Sequence, residues 1–196
     1  MRRAGAAMIR AFVAIPLPGA VQEALAALAQ MLPVPRRLPS ENLHLTLAFL
    51  GTLPEPVIEE AHLAFGTIRA EAFPLRLRGV ATFGGGKPRS VHAGVEPEPR
   101  LDRLQAKVVA AARRVGAPPE ARRFVPHVTL ARLKPGAADP VRLDYALLDL
   151  AGFSAGPFAV DRFTLFRSHL GHGGAAYEAL ADYRLGDVTE RNMTKA

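Results

Sequence analysis

Apolar and polar positions recur along the chain with two periods, one typical of strands and one of helices. The two-residue period, with its flanking turn residues, predicts seven strands, at 9–15, 43–50, 73–83, 90–95, 125–133, 158–168 and 175–185. The helical period predicts four helices, at 21–32, 56–70, 101–115 and 141–148. Val21, Leu25, Leu28 and Leu32 illustrate the helical spacing, since they lie on one face. The pattern therefore indicates a protein that mixes strands and helices.

The order strand, proline turn, helix, loop, strand occurs twice. The first copy runs over 9–50 and the second over 90–133, and each ends in a strand that contains His-x-Thr-Leu. Such a repeat predicts two similar lobes whose motif strands face each other. We expect a single bilobal domain over 8–186. Its halves are roughly 8–86 and 87–186, strands are free to cross between them, and the tails 1–7 and 187–196 are flexible.

The repeated motif is the main candidate for chemistry. In a strand, His44 and Thr46 point to the same face, about 6.6 Å apart, and the leucines between and after them point into the core. His127 and Thr129 repeat this arrangement. A single His-x-Thr in a strand is usually structural, but a second copy in the same surroundings predicts that two imidazoles and two hydroxyls share one polar cleft.

Two histidines in one cleft suit proton transfer to and from a phosphate ester. Imidazole titrates near neutral pH, so one ring can accept a proton while the other donates one. The hydroxyls of Thr46 and Thr129 can donate to phosphate oxygens, and Arg132 can add a charged contact. Strict alternation places Arg132 on the opposite face from His127, so a bulge or a strand end is needed to turn it inward.

Composition excludes several other kinds of site. The chain has 196 residues and no cysteine, so disulfides, thiolate nucleophiles and cysteine metal sites are excluded, and we expect the cytoplasm. The net charge of +7 is mostly arginine and favours polyanionic partners. No apolar run is long enough for a transmembrane helix, so we expect no membrane contact.

Other candidate residues have weaker support. A catalytic zinc would need a third ligand, and neither Glu41 nor Asp161 is supported by a motif. No Gly-x-Ser-x-Gly elbow is present, and Gly84-Gly85-Gly86 reads as a hairpin turn rather than a phosphate loop. The remaining histidines are expected to be surface or packing residues (His62 and His92) or to lie in a flexible loop over 168–174 (His169 and His172).

The chain resembles the two-histidine phosphoesterases, and within them the RNA 2′,3′-cyclic phosphodiesterases, also called 2′-5′ RNA ligases. The similarity extends over about 9–185. It rests on the blocks 10–15, 41–51 and 123–132 and on Phe83, Pro88, Arg89, 165–168 and Tyr177.

This resemblance implies an α+β fold with two pseudo-twofold-related lobes of antiparallel sheet, outer helices and a central cleft. It implies hydrolysis of RNA 2′,3′-cyclic phosphate ends to 2′-phosphates without a metal or other cofactor, with reversible 2′-5′ ligation as a further activity. His44 would donate a proton to the departing 3′-oxygen and His127 would accept one from water. Thr46, Thr129 and Arg132 would hold the phosphate.

The expected partners are RNA 3′ ends, including tRNA fragments, and the expected state is a monomer. Two departures concern substrate preference. Family members commonly have tryptophan near Arg37 and at His92, and this chain has none. Two alternatives stay open: a phosphodiesterase for a small cyclic nucleotide such as an ADP-ribose cyclic phosphate, and an RNA-end-binding protein with little turnover.

Overall fold

A computed structural model describes residues 6–120, 123–171 and 174–186. Within them the chain forms eight strands and four helices. In chain order these are β1 (Met8–Pro16), α1 (Gly19–Gln30), β2 (His44–Pro54), α2 (Glu55–Gly66), β3 (Phe73–Phe83), β4 (Ser90–Val95), α3 (Pro99–Arg114), β5 (His127–Arg132), α4 (Pro140–Asp149), β6 (Ser154–Val160), β7 (Arg162–Gly171) and β8 (Gly174–Arg184). A short 3-10 turn at Ser40–Asn42 precedes β2.

The strands form one antiparallel sheet in the order β6-β3-β4-β5-β2-β1-β7-β8. The order has a pseudo-twofold centre between β5 and β2, which are paired at one position only, Leu45 with Val128. Four strands lie on either side of this junction and correspond by their position outward from it: β2 to β5, β1 to β4, β7 to β3 and β8 to β6. The predicted α+β fold of two related antiparallel lobes is confirmed.

The helices cover one face of the sheet and interlock its two halves. Helix α1 connects β1 to β2 but packs on β5 and β6, whereas α3 connects β4 to β5 and packs on β2 and α2. The core between the layers includes Leu45, Leu47, Val128 and Leu130, each at most 3% exposed. Because strand side chains alternate, the histidine and threonine of each motif lie on the uncovered face. None of the described helices is long and apolar enough to cross a membrane.

Most elements lie within a few residues of their predicted bounds, with two errors near the C-terminus. The single strand predicted at 158–168 is two strands, β6 and β7, separated by Asp161 alone. The predicted loop at 168–174 is also wrong, because β7 continues to Gly171 and β8 begins at Gly174. His169 therefore lies in a strand, and His172 lies outside the described residues, as do most of the predicted tails.

Strands from one predicted half of the chain, 8–86, pair with strands from the other half, 87–186, in both halves of the sheet. Strand β3 pairs with β4 and β6, and β7 pairs with β1. Each half of the sheet is thus built from both halves of the sequence. The turn around Gly84-Gly85-Gly86 joins β3 to β4 as an antiparallel hairpin, as the sequence predicted.

Candidate active site

The two His-x-Thr motifs lie on neighbouring strands at the centre of the sheet. The pairing of Leu45 with Val128 places His44 across from Thr129 and Thr46 across from His127. In an antiparallel ladder of normal spacing, the Cα atoms of the two histidines are then about 8 Å apart, on the same face. The sheet therefore brings together the four motif residues that the sequence singled out.

These residues line a cleft formed by two adjoining cavities. One, of about 610 Å³, is lined by His44, and the other, of about 710 Å³, by His127 and Thr129. Both are lined by Thr46 and Arg132. Of the described residues, seven cationic side chains line the two cavities: Arg10, Arg36, Arg37, Arg89, Arg123, Arg132 and Lys134. Among the described residues that line the cavities, Glu120 is the only carboxylate, so the cleft favours an anionic ligand.

The His44 side chain is held by a backbone carbonyl just before β2 and by two aromatic rings. Its Nδ1–H donates to the carbonyl oxygen of Asn42 at 2.8 Å. Because a carbonyl only accepts, Nδ1 carries the proton and Nε2 is left for the cleft. Phe12 stacks on the ring with centroids 4.8 Å apart, and Tyr177 meets it edge-on at 5.2 Å. Together these contacts fix both the tautomer and the orientation of His44.

His127 has the same backbone contact but different neighbours. Its Nδ1–H donates to the carbonyl oxygen of Val125 at 2.7 Å, again two residues before the histidine. Phe83 meets the ring edge-on at 4.8 Å and His92 does so at 5.2 Å. His127 thus lines the cleft with its Nδ1–H held by the backbone, as His44 does. The two imidazoles are presented alike by a contact that the local sequence provides twice.

Burial sets the charge state of His44 in the free protein. It lowers the pKa of His44 from the usual 6.5 to about 4, and the positive charges of Arg132 and His127 act in the same direction. The hydrogen bond to Asn42 opposes this change. His44 is therefore neutral at pH 7 in the free protein.

A β-bulge turns Arg132 into the cleft. Ala131 pairs with Val91 and Thr129 pairs with His92, so Leu130 is an extra residue on β5. Leu130 and Ala131 are both buried, and alternation resumes one residue late, which places Arg132 on the side of His127. The sequence predicted that a bulge or a strand end would turn Arg132 inward, and the structure has the bulge.

Three residues at the site were missed as functional candidates. Asn42 is 9% exposed, and its side-chain amide donates to the carbonyl oxygen of Ala175 at 2.8 Å, which ties β8 to the residue that orients His44. Phe49 and Arg10 line the cleft beside His44. In the sequence, the available signal for Asn42 was a polar residue two positions before the motif histidine.

The other histidines behave mainly as packing or surface residues. His92 is 6% exposed and stacks on Phe83 at 4.0 Å, as a packing residue does. His62 lies on the surface of α2 and contacts the Tyr183 hydroxyl at 2.9 Å, and His169 lies 2.8 Å from a Glu178 carboxylate oxygen. No group of three potential metal ligands occurs among the described residues.

Several curated proteins that are similar to this chain carry the same name. The RNA 2′,3′-cyclic phosphodiesterase of Thermus thermophilus is 36% identical in an alignment of 190 positions that covers 90% of each chain. The enzyme of that name from Escherichia coli is 32% identical over 90% of this chain and 96% of its own. The one from Aeropyrum pernix is 35% identical over 74% of this chain and 82% of its own.

Solved structures agree with the sequence relatives. The structure of TT0787 from Thermus thermophilus superposes with a TM-score of 0.74 at 32% identity, covering 92% of this chain and all of the other. That of Escherichia coli LigT without ligand gives 0.72 at 28% identity, covering 91% and 98%. The family model described as the 2′-5′ RNA ligase superfamily matches residues 16–172. The chain belongs to the 2′-5′ RNA ligase superfamily.

Proposed function

We propose that this protein hydrolyses the 2′,3′-cyclic phosphate ends of RNA to 2′-phosphates, with the two motif histidines as acid and base. One observation carries the proposal: both imidazoles donate Nδ1–H to a backbone carbonyl two residues earlier, and both line one cationic cleft. The names of the curated relatives support the choice of substrate.

The proposed reaction needs only protons, water and fixed hydrogen-bond donors. Nε2 of His127 takes a proton from water, whose oxygen attacks phosphorus in line with the P–O3′ bond. That bond breaks as Nε2 of His44 gives its proton to O3′, leaving the phosphate on O2′. Thr46, Thr129 and Arg132 donate to the non-bridging oxygens as negative charge develops on them. Exchange with solvent then restores both histidines.

The charge state of His44 is compatible with its role as the acid. Free His44 is neutral at pH 7, because burial holds its pKa near 4. A phosphodiester bound between the histidines carries one negative charge and opposes this effect. His44 thus takes up its proton when the substrate is in place. The division of roles itself follows the family pattern.

The test is hydrolysis of an oligonucleotide with a 2′,3′-cyclic phosphate end in the presence of EDTA. The expected product is a 2′-phosphate, separated from the 3′-phosphate by chromatography against both standards. His44→Ala and His127→Ala should each lower kcat by roughly 10² to 10⁴. His62→Ala, which changes an exposed histidine on α2, is the matched control and should keep full activity. Full activity in both motif variants would refute the assignment.

A small cyclic nucleotide is the second candidate substrate. One structure of Escherichia coli LigT was solved in complex with 3′-AMP, so that relative binds a mononucleotide. Comparing kcat/KM on a mononucleotide 2′,3′-cyclic phosphate with that on an oligonucleotide separates the two. Equal values would favour the small substrate. Tight binding of 2′-phosphorylated RNA without hydrolysis would instead indicate an end-binding protein.

A further inference from the structure

The short segment before β2 that contains Arg37 joins helix α1 to the bulge in β5. The backbone of Arg37 forms an isolated antiparallel bridge with Ala131, and the Leu38 N–H donates to the carbonyl oxygen of Leu130 at 2.8 Å. Strand β2 pairs with β5 at one position only, so this segment takes the place of β2 along the rest of β5. It meets β5 at the bulge that turns Arg132 into the cleft.

The bulge depends on this segment for one of its hydrogen bonds. Leu130 is the extra residue of the bulge, and both Leu130 and Ala131 are fully buried. A buried carbonyl that loses its donor destabilises the arrangement that buries it. The N–H of Leu38 therefore favours the register in which Leu130 is the extra residue and Arg132 faces the cleft.

The Arg37 side chain fixes the segment by capping α1. Its Nε donates to the carbonyl oxygen of Ala29, and its Nη2 donates to those of Leu32 at 2.8 Å and Gln30 at 3.3 Å. The last turn of α1 contains no basic residue, so this guanidinium supplies the positive charge that a helix C-terminus favours. Its planar fork donates to several carbonyls at once, which suits arginine better than lysine.

From these contacts we propose that Arg37 is a positioning residue for Arg132. Arg37 ties its segment to α1, and the segment holds the bulge that turns Arg132 toward the phosphate. This role rests on the proposed function, since it matters only if Arg132 binds the substrate phosphate. Arg37 lines the same cavity as His44, but three of its five N–H groups donate to α1. Its effect on the reaction should therefore pass through Arg132 rather than through direct contact with the substrate.

The test is a double-mutant cycle on the hydrolysis of adenosine 2′,3′-cyclic phosphate. Arg37→Met, which removes the guanidinium, should lower kcat/KM by about 10-fold in the wild-type background. In an Arg132→Ala background the same change should have almost no further effect, because the group through which Arg37 acts is gone. Arg37→Lys keeps the charge without the fork and should lose nearly as much activity.

The matched control is Arg36→Met, which removes a neighbouring positive charge from the same cavity. Its effect on kcat/KM should be the same in the wild-type and Arg132→Ala backgrounds, because a change in charge acts on substrate binding independently of the bulge. A dependence on the background in the Arg37 variants but not in Arg36→Met would support the proposed link.

Each result decides the question. No hydrolysis by the wild-type protein would refute the proposed function and this role with it. If the wild-type protein is active but Arg37→Met lowers kcat/KM by the same factor in both backgrounds, Arg37 acts on the substrate or on the whole fold, and the proposed role is wrong. Full activity in Arg37→Lys would show that charge alone suffices and would also overturn it. If Arg37→Met does not fold, Arg37→Lys completes the same cycle.

Discussion

Substrate binding should change the protonation of His44 enough to separate two pH profiles. In the free protein the pKa of His44 is about 4, so about one molecule in a thousand carries the proton at pH 7. A phosphodiester charge about 4 Å from Nε2 contributes about 4 kcal/mol at an effective dielectric constant near 20. That is roughly a thousandfold in the protonation equilibrium, so bound His44 is protonated in a substantial fraction of molecules.

The sign of the effect fixes the expected profiles. The profile of kcat/KM reports the free protein and that of kcat reports the complex. As pH rises, His44 loses its proton and both parameters fall. We expect kcat/KM to begin to fall two to three pH units lower than kcat does. Steady-state rates on a mononucleotide cyclic phosphate from pH 4 to 9 measure both. If kcat/KM and kcat fell at the same pH on the alkaline side, substrate binding would not change the pKa of His44, and the prediction would be refuted.

NMR observes each imidazole directly, so it does not require assigning one part of a pH–rate profile to one of two coupled histidines. Long-range ¹H–¹⁵N spectra of the imidazoles should show free His44 as the Nδ1–H tautomer down to about pH 5. Addition of a 2′-phosphate product should shift its titration to higher pH. A midpoint at 6.5 in the free protein would show that burial does not control this ring. The His44→Ala variant identifies the resonance.

Three further changes test the supports of the site. Arg132→Lys keeps the charge but loses the planar fork, so kcat/KM should fall by about 10- to 100-fold with no change in melting temperature, because the side chain is exposed; unchanged kinetics would remove Arg132 from the site. Asn42→Ala removes a buried hydrogen bond to Ala175, so urea unfolding should show a loss of about 1–3 kcal/mol together with a lower kcat at unchanged KM; an unchanged kcat would mean that Asn42 does not position His44. His92→Phe removes a buried, unpartnered Nδ1 and should stabilise the protein at pH 7 by about 1 kcal/mol or more. Because burial lowers the pKa of His92 from 6.5 to about 4, the wild-type protein should also lose at most about 3 kcal/mol as pH falls through that interval, and the variant should lose less; equal acid sensitivity would contradict this.

The sequence predicted most elements because their apolar faces are set locally. Leu45, Leu47, Val128 and Leu130 alternate with polar residues, and burial follows that alternation. The separation of β6 from β7 depends instead on tertiary pairing. Strand β6 pairs with β3 in one half of the sheet and β7 pairs with β1 in the other, while only Asp161 lies between them in sequence. A local pattern contains no information about that change of partner.

The motif histidines and threonines could be found from sequence because repetition is a strong signal. The cleft position of Arg132 depends on the bulge at Leu130, and that of Phe49 on a bulge at Leu47, where Ala48 pairs with Val13 and Thr46 with Ala14. A bulge depends on how two strands pair rather than on either strand alone. Comparing the two motifs would have helped, since His-x-Thr-Leu-Ala is followed by Phe in one copy and by Arg in the other. When two copies of a motif are the same and the residue after them differs, that position is a candidate for a different role in each copy.

Two identical motifs can act as acid and base only if their surroundings differ. The backbone contacts are the same for both rings, so the difference lies in the neighbouring side chains. Phe12 and Tyr177 contact His44, and burial lowers its pKa to about 4 in the free protein. We expect a bound anion to raise that pKa. The proton on His44 is then coupled to the presence of substrate. In the proposed reaction, an acid that forms only beside a bound phosphate is well matched to protonating the departing 3′-oxygen.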